Sequence, residues 1–326
     1  MKRTAAAALV AGALLLGACG SDEDEATTSS GPAGTTGTTA APGTSAATET
    51  TAATETTAGA ETTVEPAGGI VPAADCENPQ TLEDGVLTIA TGNPAFEPWV
   101  VGDAPESGEG FEAAVGFAVA EQMGFTGDAV KWVRTSFDEA IAPGPKNFDF
   151  NLQQFSITPE RTEVVSMSDP YYATNQAIVG FEDSEAAGAV STADLQTLKL
   201  GAQAGTTSFQ FIVDVIQPDS EPFAYNDNAD AKQALDSQQI DAIVVDLPTA
   251  FFIAAVEIEG AKVIGQFPPN EDFAADEFGL VFEKDNPLVD CANVALDALR
   301  SDGTLAAIEQ EWLADYTDAP LISQPG

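Results

Sequence analysis

The chain has 326 residues, 52 of them acidic and 11 basic, with a formal charge of −41, no histidine and three cysteines. So acidic a chain argues against nucleic-acid partners and against electrostatic docking on anionic lipid. Without histidine the usual Cys/His metal sites are excluded, and no cofactor is expected.

The N-terminal 75 residues read as processing and linker sequence. Lys2 and Arg3 precede twelve apolar or small residues at 5–16. That run is too short to span a bilayer and suits the core of a signal peptide, residues 1–18. LLLGAC at 14–19 resembles the bacterial lipoprotein signal, in which cleavage precedes the cysteine and Cys19 then carries diacylglycerol and fatty acids such as palmitate. An ordinary secretory signal with an incidental cysteine is the alternative. Two or more acyl chains make a stable anchor, so the resemblance implies a protein lipid-anchored to the cell membrane on its extracytoplasmic face. Residues 19–75 are rich in Thr, Ala, Gly, Ser and Glu, lack aromatics, and repeat ATETT at 47–51 and 53–57. Such a segment cannot bury enough apolar surface to offset the entropy of ordering it, and is expected to be a disordered tether reaching about 40 Å.

From Cys76 onward, strand-like and helical patterns alternate. VLTIAT at 86–91 reads as a buried strand, 111–123 as a helix stopped by Gly124, 129–133 as a strand, 136–141 as a short helix and 148–154 as a strand. A second series follows, with strands at 198–203, 223–225, 240–245 and 262–265, and helices at 208–216, 229–237 and 248–256. Such alternation predicts an α/β protein with parallel-rich sheets flanked by helices, here in two lobes. A strand at 278–282 and helices at 288–299 and 304–315 are too few for a third domain and are read as completing the first lobe. The expected division is 76–175 plus 277–320 for lobe 1 and 176–276 for lobe 2. The chain then crosses twice, near 175–179 and 273–279, which permits hinge closure. In an oxidising compartment Cys76 and Cys291 are expected to pair, two free thiols being the alternative.

Ligands in open α/β sheets bind beyond the carboxyl ends of the strands. Four loops leave such ends. GNPAFEPW (92–99) offers Asn93 and an aromatic, Phe96. QFSITPER (154–161) places Thr158 as an N-cap and Pro159 at the first helical position, with Arg161 in the first turn. A cation there is disfavoured by the helix dipole, and a bound anion reverses the sign. Arg161 then supplies a two-pronged donor suited to a carboxylate, with Ser156 nearby; a surface arginine paired with Glu160 or Glu163 is the bland alternative. AGTTS (204–208) presents Gly205, Thr206 and Thr207 at another helix start. VVDLP (244–248) leaves Asp246 just past a buried strand, either as a cap for the next helix or as the partner of a ligand ammonium.

In this order, SITPER, SDPYY, AGTTS and DAIVVDLP resemble the extracellular solute-binding proteins of ABC importers, family 3, of the polar amino-acid class. With the lipoprotein signal, the type is that of actinobacterial lipoproteins. The resemblance spans about residues 82–316. It implies the two-lobed periplasmic-binding-protein (type II) fold with a two-strand hinge, closing on one amino acid. Arg161 then clamps the α-carboxylate with Thr207, and Asp246 faces the α-ammonium. Ser156 and Phe155 line the adjoining loop, and Phe96 covers the ligand. There are departures: Asn93 stands where many members have aspartate, Gln153 and Gln154 where small residues are common, and Ala114 where an aspartate is usual.

The expected function is a monomeric receptor that captures a polar amino acid and delivers it to an ABC permease, breaking no bond. An enzyme on the same scaffold, a dehydratase or lyase, is the first alternative and would need Glu97 or Glu160 as its acid or base. A sensor or adhesin with a vestigial pocket is the second.

Overall fold

The apolar run at the start of the folded part becomes strand β1 (Leu87–Thr91), buried along its whole length. A strand apolar on both faces needs cover on both, and α1 (Phe111–Gln122) supplies it on one side with Phe111, Val115 and Val119. The start of α1 is capped by backbone, the carbonyls of Pro98 and Trp99 accepting from the Phe111 and Glu112 amides at 3.0 and 2.9 Å. Its end is Gly124 at φ +89°, and the Phe125 amide closes back onto the Ala120 carbonyl at 2.8 Å. That left-handed residue satisfies the last carbonyls at no steric cost, because glycine lacks a Cβ.

The chain continues through β2 (Val130–Arg134), α2 (Phe137–Ile141), β3 (Phe150–Asn151), α3 (Pro159–Val164), β4 (Ser166–Met167) and β5 (Tyr172–Thr174). Next come β6 (Gln176–Phe181), β7 (Leu200–Gln203), α4 (Thr207–Phe211), β8 (Phe223–Tyr225), α5 (Asn228–Asp236), β9 (Ala242–Asp246), α6 (Leu247–Phe252) and β10 (Ala261–Phe267). The last elements are β11 (Asp276–Phe278), β12 (Val281–Phe282), α7 (Leu288–Ser301) and α8 (Thr304–Trp312). This computed structural model describes residues 76–271, 273–316 and 318–324. The expected signal peptide 1–18, the lipidated Cys19 and the tether 19–75 lie outside the described residues.

Two five-stranded sheets form, in the orders β2-β1-β3-β12-β4 and β10-β6-β9-β7-β8. Each is mixed: β1 runs parallel to β2 and β3, and β7 to β8 and β9, while the remaining pairings are antiparallel. Between the sheets, β5 and β11 pair antiparallel as a two-stranded ladder, Thr174 opposite Asp276. Trp99 is fully buried against this ladder and α1, its ring 5.8 Å from Phe111, 5.8 Å from Tyr172 and 5.7 Å from Phe278. Cys76 and Cys291 are disulfide-bonded, tying the start of the described chain to α7.

Three expectations need correction. The stretch 175–179, read only as a crossing, belongs mostly to β6, which pairs with both β10 and β9. Its run AIVG is apolar on both faces because it lies inside a covered sheet. The strand expected at 278–282 is two: β11 joins the ladder and β12 the first sheet, broken at Gly279, where a Cβ would lie 2.9 Å from Ile157 and 3.0 Å from the Ser168 carbonyl. Finally, the chain passes between the sheets three times, and the tail does not stay with lobe 1 up to residue 320. The Pro320 carbonyl accepts from the Gln266 amide at 2.8 Å, and Ile322 and Ser323 continue the pairing with Gln266 and Val190.

Candidate functional site

A cavity of about 50 Å³ lies beyond the carboxyl ends of β1, β3, β7 and β9, walled by residues of both sheets' loops. This is where the two parallel-strand sets point their free backbone ends and helix starts.

Arg161 enters from α3. Thr158 caps that helix, its hydroxyl accepting from the Arg161 amide at 3.2 Å. The side chain turns inward and is only 7% exposed. One guanidinium nitrogen donates to the Ser156 carbonyl at 2.7 Å and another to the Gly205 carbonyl, on the facing lobe, at 3.1 Å. Its guanidinium carbon lies 5.3 Å from the centre of the Phe137 ring and 6.0 Å from that of Phe155. Burial lowers its pKa to about 10, partly offset by the charges of Asp276 and Glu160, so the group stays protonated at neutral pH. Among the described residues no carboxylate forms an ion pair with it. The surface pairing with Glu160 or Glu163 is therefore not what the structure contains.

Asp246 ends β9 and caps α6, accepting from the Thr249 amide at 2.9 Å. It is 9% exposed and also walls the cavity. Burial pushes its carboxyl up to about 6; hydrogen bonds from Thr249 oppose this and the nearby Asp276 adds to it. It too has no ion-pair partner among the described residues. The cavity thus holds one buried cation and one buried anion, each short of an opposite charge.

The loops touch across the cleft. The Ser156 and Thr207 hydroxyls are 3.1 Å apart, and the Trp99 indole donates to the Thr249 hydroxyl at 2.8 Å. With the Arg161–Gly205 bond these contacts hold the two sides together. The enclosed space is about a third of the roughly 150 Å³ that accommodates benzene in an apolar protein cavity. A larger molecule therefore gains access only when the lobes part.

Of the residues singled out in the sequence, Ser156, Arg161, Thr207, Asp246 and Phe96 line this cavity together. Two do not. Asn93 is exposed and does not line the cavity, whereas its neighbours Pro94 and Ala95 do. Phe155 is fully buried behind the wall, packed on Phe137 with ring centroids 4.5 Å apart, and it is Phe137 of this pair that reaches the cavity. The proposed catalytic acids Glu97 and Glu160 lie outside the wall. Among the described residues no group of acidic or cysteine side chains could hold a metal.

Sequence reading marked Gln153 and Gln154 as departures but did not find the layer of amides to which they belong. Gln153, Gln154, Gln176, Gln203 and Asn228 all face the cavity. Behind Gln154 sits Glu112, only 1% exposed, which accepts from the Gln154 side chain and the Tyr171 hydroxyl and, at 2.7 Å, from the Gln154 amide. Burial raises the Glu112 pKa to about 7 against those hydrogen bonds. The signal was present in GFE and YY, but only the fold shows that they meet.

Known proteins resemble this one over the same region. A sequence model of the family "Bacterial extracellular solute-binding proteins, family 3" matches residues 87–315. The chain is 27% identical over 210 residues to the L-arginine-binding protein of Pseudomonas aeruginosa, covering 63% of this chain and 79% of that protein. It is 26% identical over 212 residues to the glutamate-binding protein GluB of Corynebacterium efficiens, covering 64% and 71%. The fold matches that of an ancestral arginine-binding protein solved with glutamine bound, at a TM-score of 0.57 and 28% identity over 71% of this chain and 99% of that one.

Proposed function

Because the chain belongs to family 3 of the bacterial extracellular solute-binding proteins, we propose that it captures an amino acid between its lobes and delivers it to an ABC permease. In this reading it works as a monomer, outside the cytoplasm, held to the membrane by lipid on Cys19 through the tether 19–75. No helix among the described residues is long and apolar enough to cross a membrane.

The observation that carries the reading is the pair Arg161 and Asp246, both buried in one cavity wall and neither ion-paired among the described residues. An α-amino acid supplies both missing partners. Its carboxylate accepts from the Arg161 guanidinium and the Ser156 and Thr207 hydroxyls; its ammonium donates to Asp246. Binding then replaces the interlobe contacts of Arg161 with Gly205 and of Ser156 with Thr207 by contacts through the ligand. Charge-assisted bonds in a dry, closed cleft are stronger than in water, which gives affinity without chemistry. The two-stranded ladder of β5 and β11 is where opening and closing would flex.

A thermal-shift screen of the twenty amino acids tests this. A ligand at one hundred times its dissociation constant adds about 2.7 kcal/mol to stability, so at least one amino acid raises the melting temperature by several degrees. No shift with any of them contradicts the proposal.

A further inference from the structure

We infer that the cavity selects an amino acid whose side chain is uncharged and donates hydrogen bonds, an amide or a hydroxyl, over one bearing a guanidinium, an ammonium or a second carboxylate. This rests on the reading of Arg161 and Asp246 as the grips on the ligand's two backbone charges, and deepens it. The relatives do not decide the matter, since their names specify arginine in one case and glutamate in the other.

The first argument is charge. Among the described residues Arg161 and Asp246 are the only charged ones in the wall. Once a ligand's carboxylate and ammonium have taken both, a third ligand charge would be buried without a partner, which costs several kcal/mol.

The second is hydrogen bonding. Gln153 and Gln176 both line the cavity, and their side-chain oxygens are shut off from solvent with no hydrogen-bond partner among the described residues. Gln176 is only 2% exposed. An orphaned buried acceptor carries its full desolvation penalty until a donor meets it.

The third is how the amides are aimed. Asp276, behind the wall, accepts from the Gln176 side-chain nitrogen, which leaves the carbonyl end of that amide unused. Glu112 holds Gln154 in the same way from the other lobe. Buried carboxylates therefore grip the donor ends of two of the wall's amides, Gln154 and Gln176. They set acceptors toward the ligand without themselves standing in the wall, so the cavity asks for donors rather than for positive charge.

Calorimetric titration of the mature chain with glutamine, asparagine, serine, threonine, alanine, arginine, lysine, aspartate and glutamate tests this. The expected result is that one of the first four binds at least tenfold tighter than alanine and than every charged amino acid. Gln153→Glu, which puts a carboxylate where an orphaned acceptor stands, is expected to shift the ratio toward lysine or arginine by at least tenfold. If a charged amino acid binds best to the unaltered protein, or if alanine matches the best ligand, the inference is overturned while amino-acid capture stands. An unchanged ratio in Gln153→Glu also overturns the assignment of that acceptor. If no amino acid binds at all, the capture reading has failed and this inference with it.

Discussion

Arg161 shows how far a single residue can be read before a structure is at hand. Its place after a Thr-Pro helix start made it odd for a cation, and that oddity pointed to an anion. What the sequence could not carry was where the side chain goes: inward, over Phe137, and onto the Gly205 carbonyl of the facing lobe. For the same reason Asn93 was credited with a role its exposed position does not give it, and Phe137 was passed over. Side-chain direction on a loop is set by what packs behind it, as Arg134 does for 92–99 by donating to the Gly92 carbonyl and Asp103. Removing one partner of a buried charge pair costs about 3–5 kcal/mol, so Arg161→Ala is expected to weaken ligand binding by about two to three and a half decades, measured by calorimetry. The buried carboxylates predict a pH effect of definite sign. Asp246 and Glu112 have folded pKa values of about 6 and about 7, above their ordinary 3.8 and 4.5. The folded state therefore binds more protons than the unfolded one through that window, and stability falls as pH rises through it. Denaturant unfolding of the free protein should show greater stability at pH 5.5 than at pH 8, by a few kcal/mol on the order-of-magnitude scale of such shifts. Ligand affinity should run the other way, falling below about pH 6 as Asp246 takes up a proton, by up to about tenfold per unit.

At the scale of elements, regular patterns were legible and exceptions were not. The strand at 223–225 and the helices near 229–237 and 288–299 lie within a residue or two of where periodicity put them. The strand β6 was missed because an apolar run flanked by polar residues looks like a linker when its partners are distant in sequence. Helices expected at 208–216 and 248–256 change character midway, to π turns at Ile212–Ile216 and Ile253–Glu257. No residue pattern in the sequence marks that change. The tail pairing depends on Gly265, where an added Cβ would lie 2.6 Å from Ile322 Cγ1 and 2.8 Å from the Pro320 carbonyl oxygen. Gly265→Ala is thus expected to push residues 318–324 off β10. Forced overpacking of this kind costs about 1–3 kcal/mol, and hydrogen exchange at the Gln266 and Ile322 amides should quicken at least tenfold. Exchange as slow as in the unaltered chain would show that the tail's packing is not limited by that contact.

Across the whole molecule, the alternating pattern implied two lobes and the family resemblance a two-strand link between them; neither implied the third passage of the chain. It rests on a few backbone bonds between 320–323 and residues 190, 192 and 266, too short a strand to announce itself. That passage matters for motion, because the tail ties the C-terminal end to the second sheet and must move with it when the cleft opens. The Cys76–Cys291 bond acts on the unfolded chain rather than on the cleft, closing a loop of 215 residues. In the chain-entropy account, reducing it should destabilise the protein by up to about 5 kcal/mol while leaving ligand affinity within a few-fold. A large loss of affinity in the reduced but folded protein would instead couple α7 to the site. The central claim is that both backbone charges of an amino acid are held, one by Arg161 and the other by Asp246. The most direct measurement is calorimetric titration of the best-binding amino acid beside its carboxyl-amidated and its N-acetylated forms. The account predicts that each blocked form binds at least a hundredfold more weakly than the free amino acid; binding of either form within tenfold of it would contradict the account.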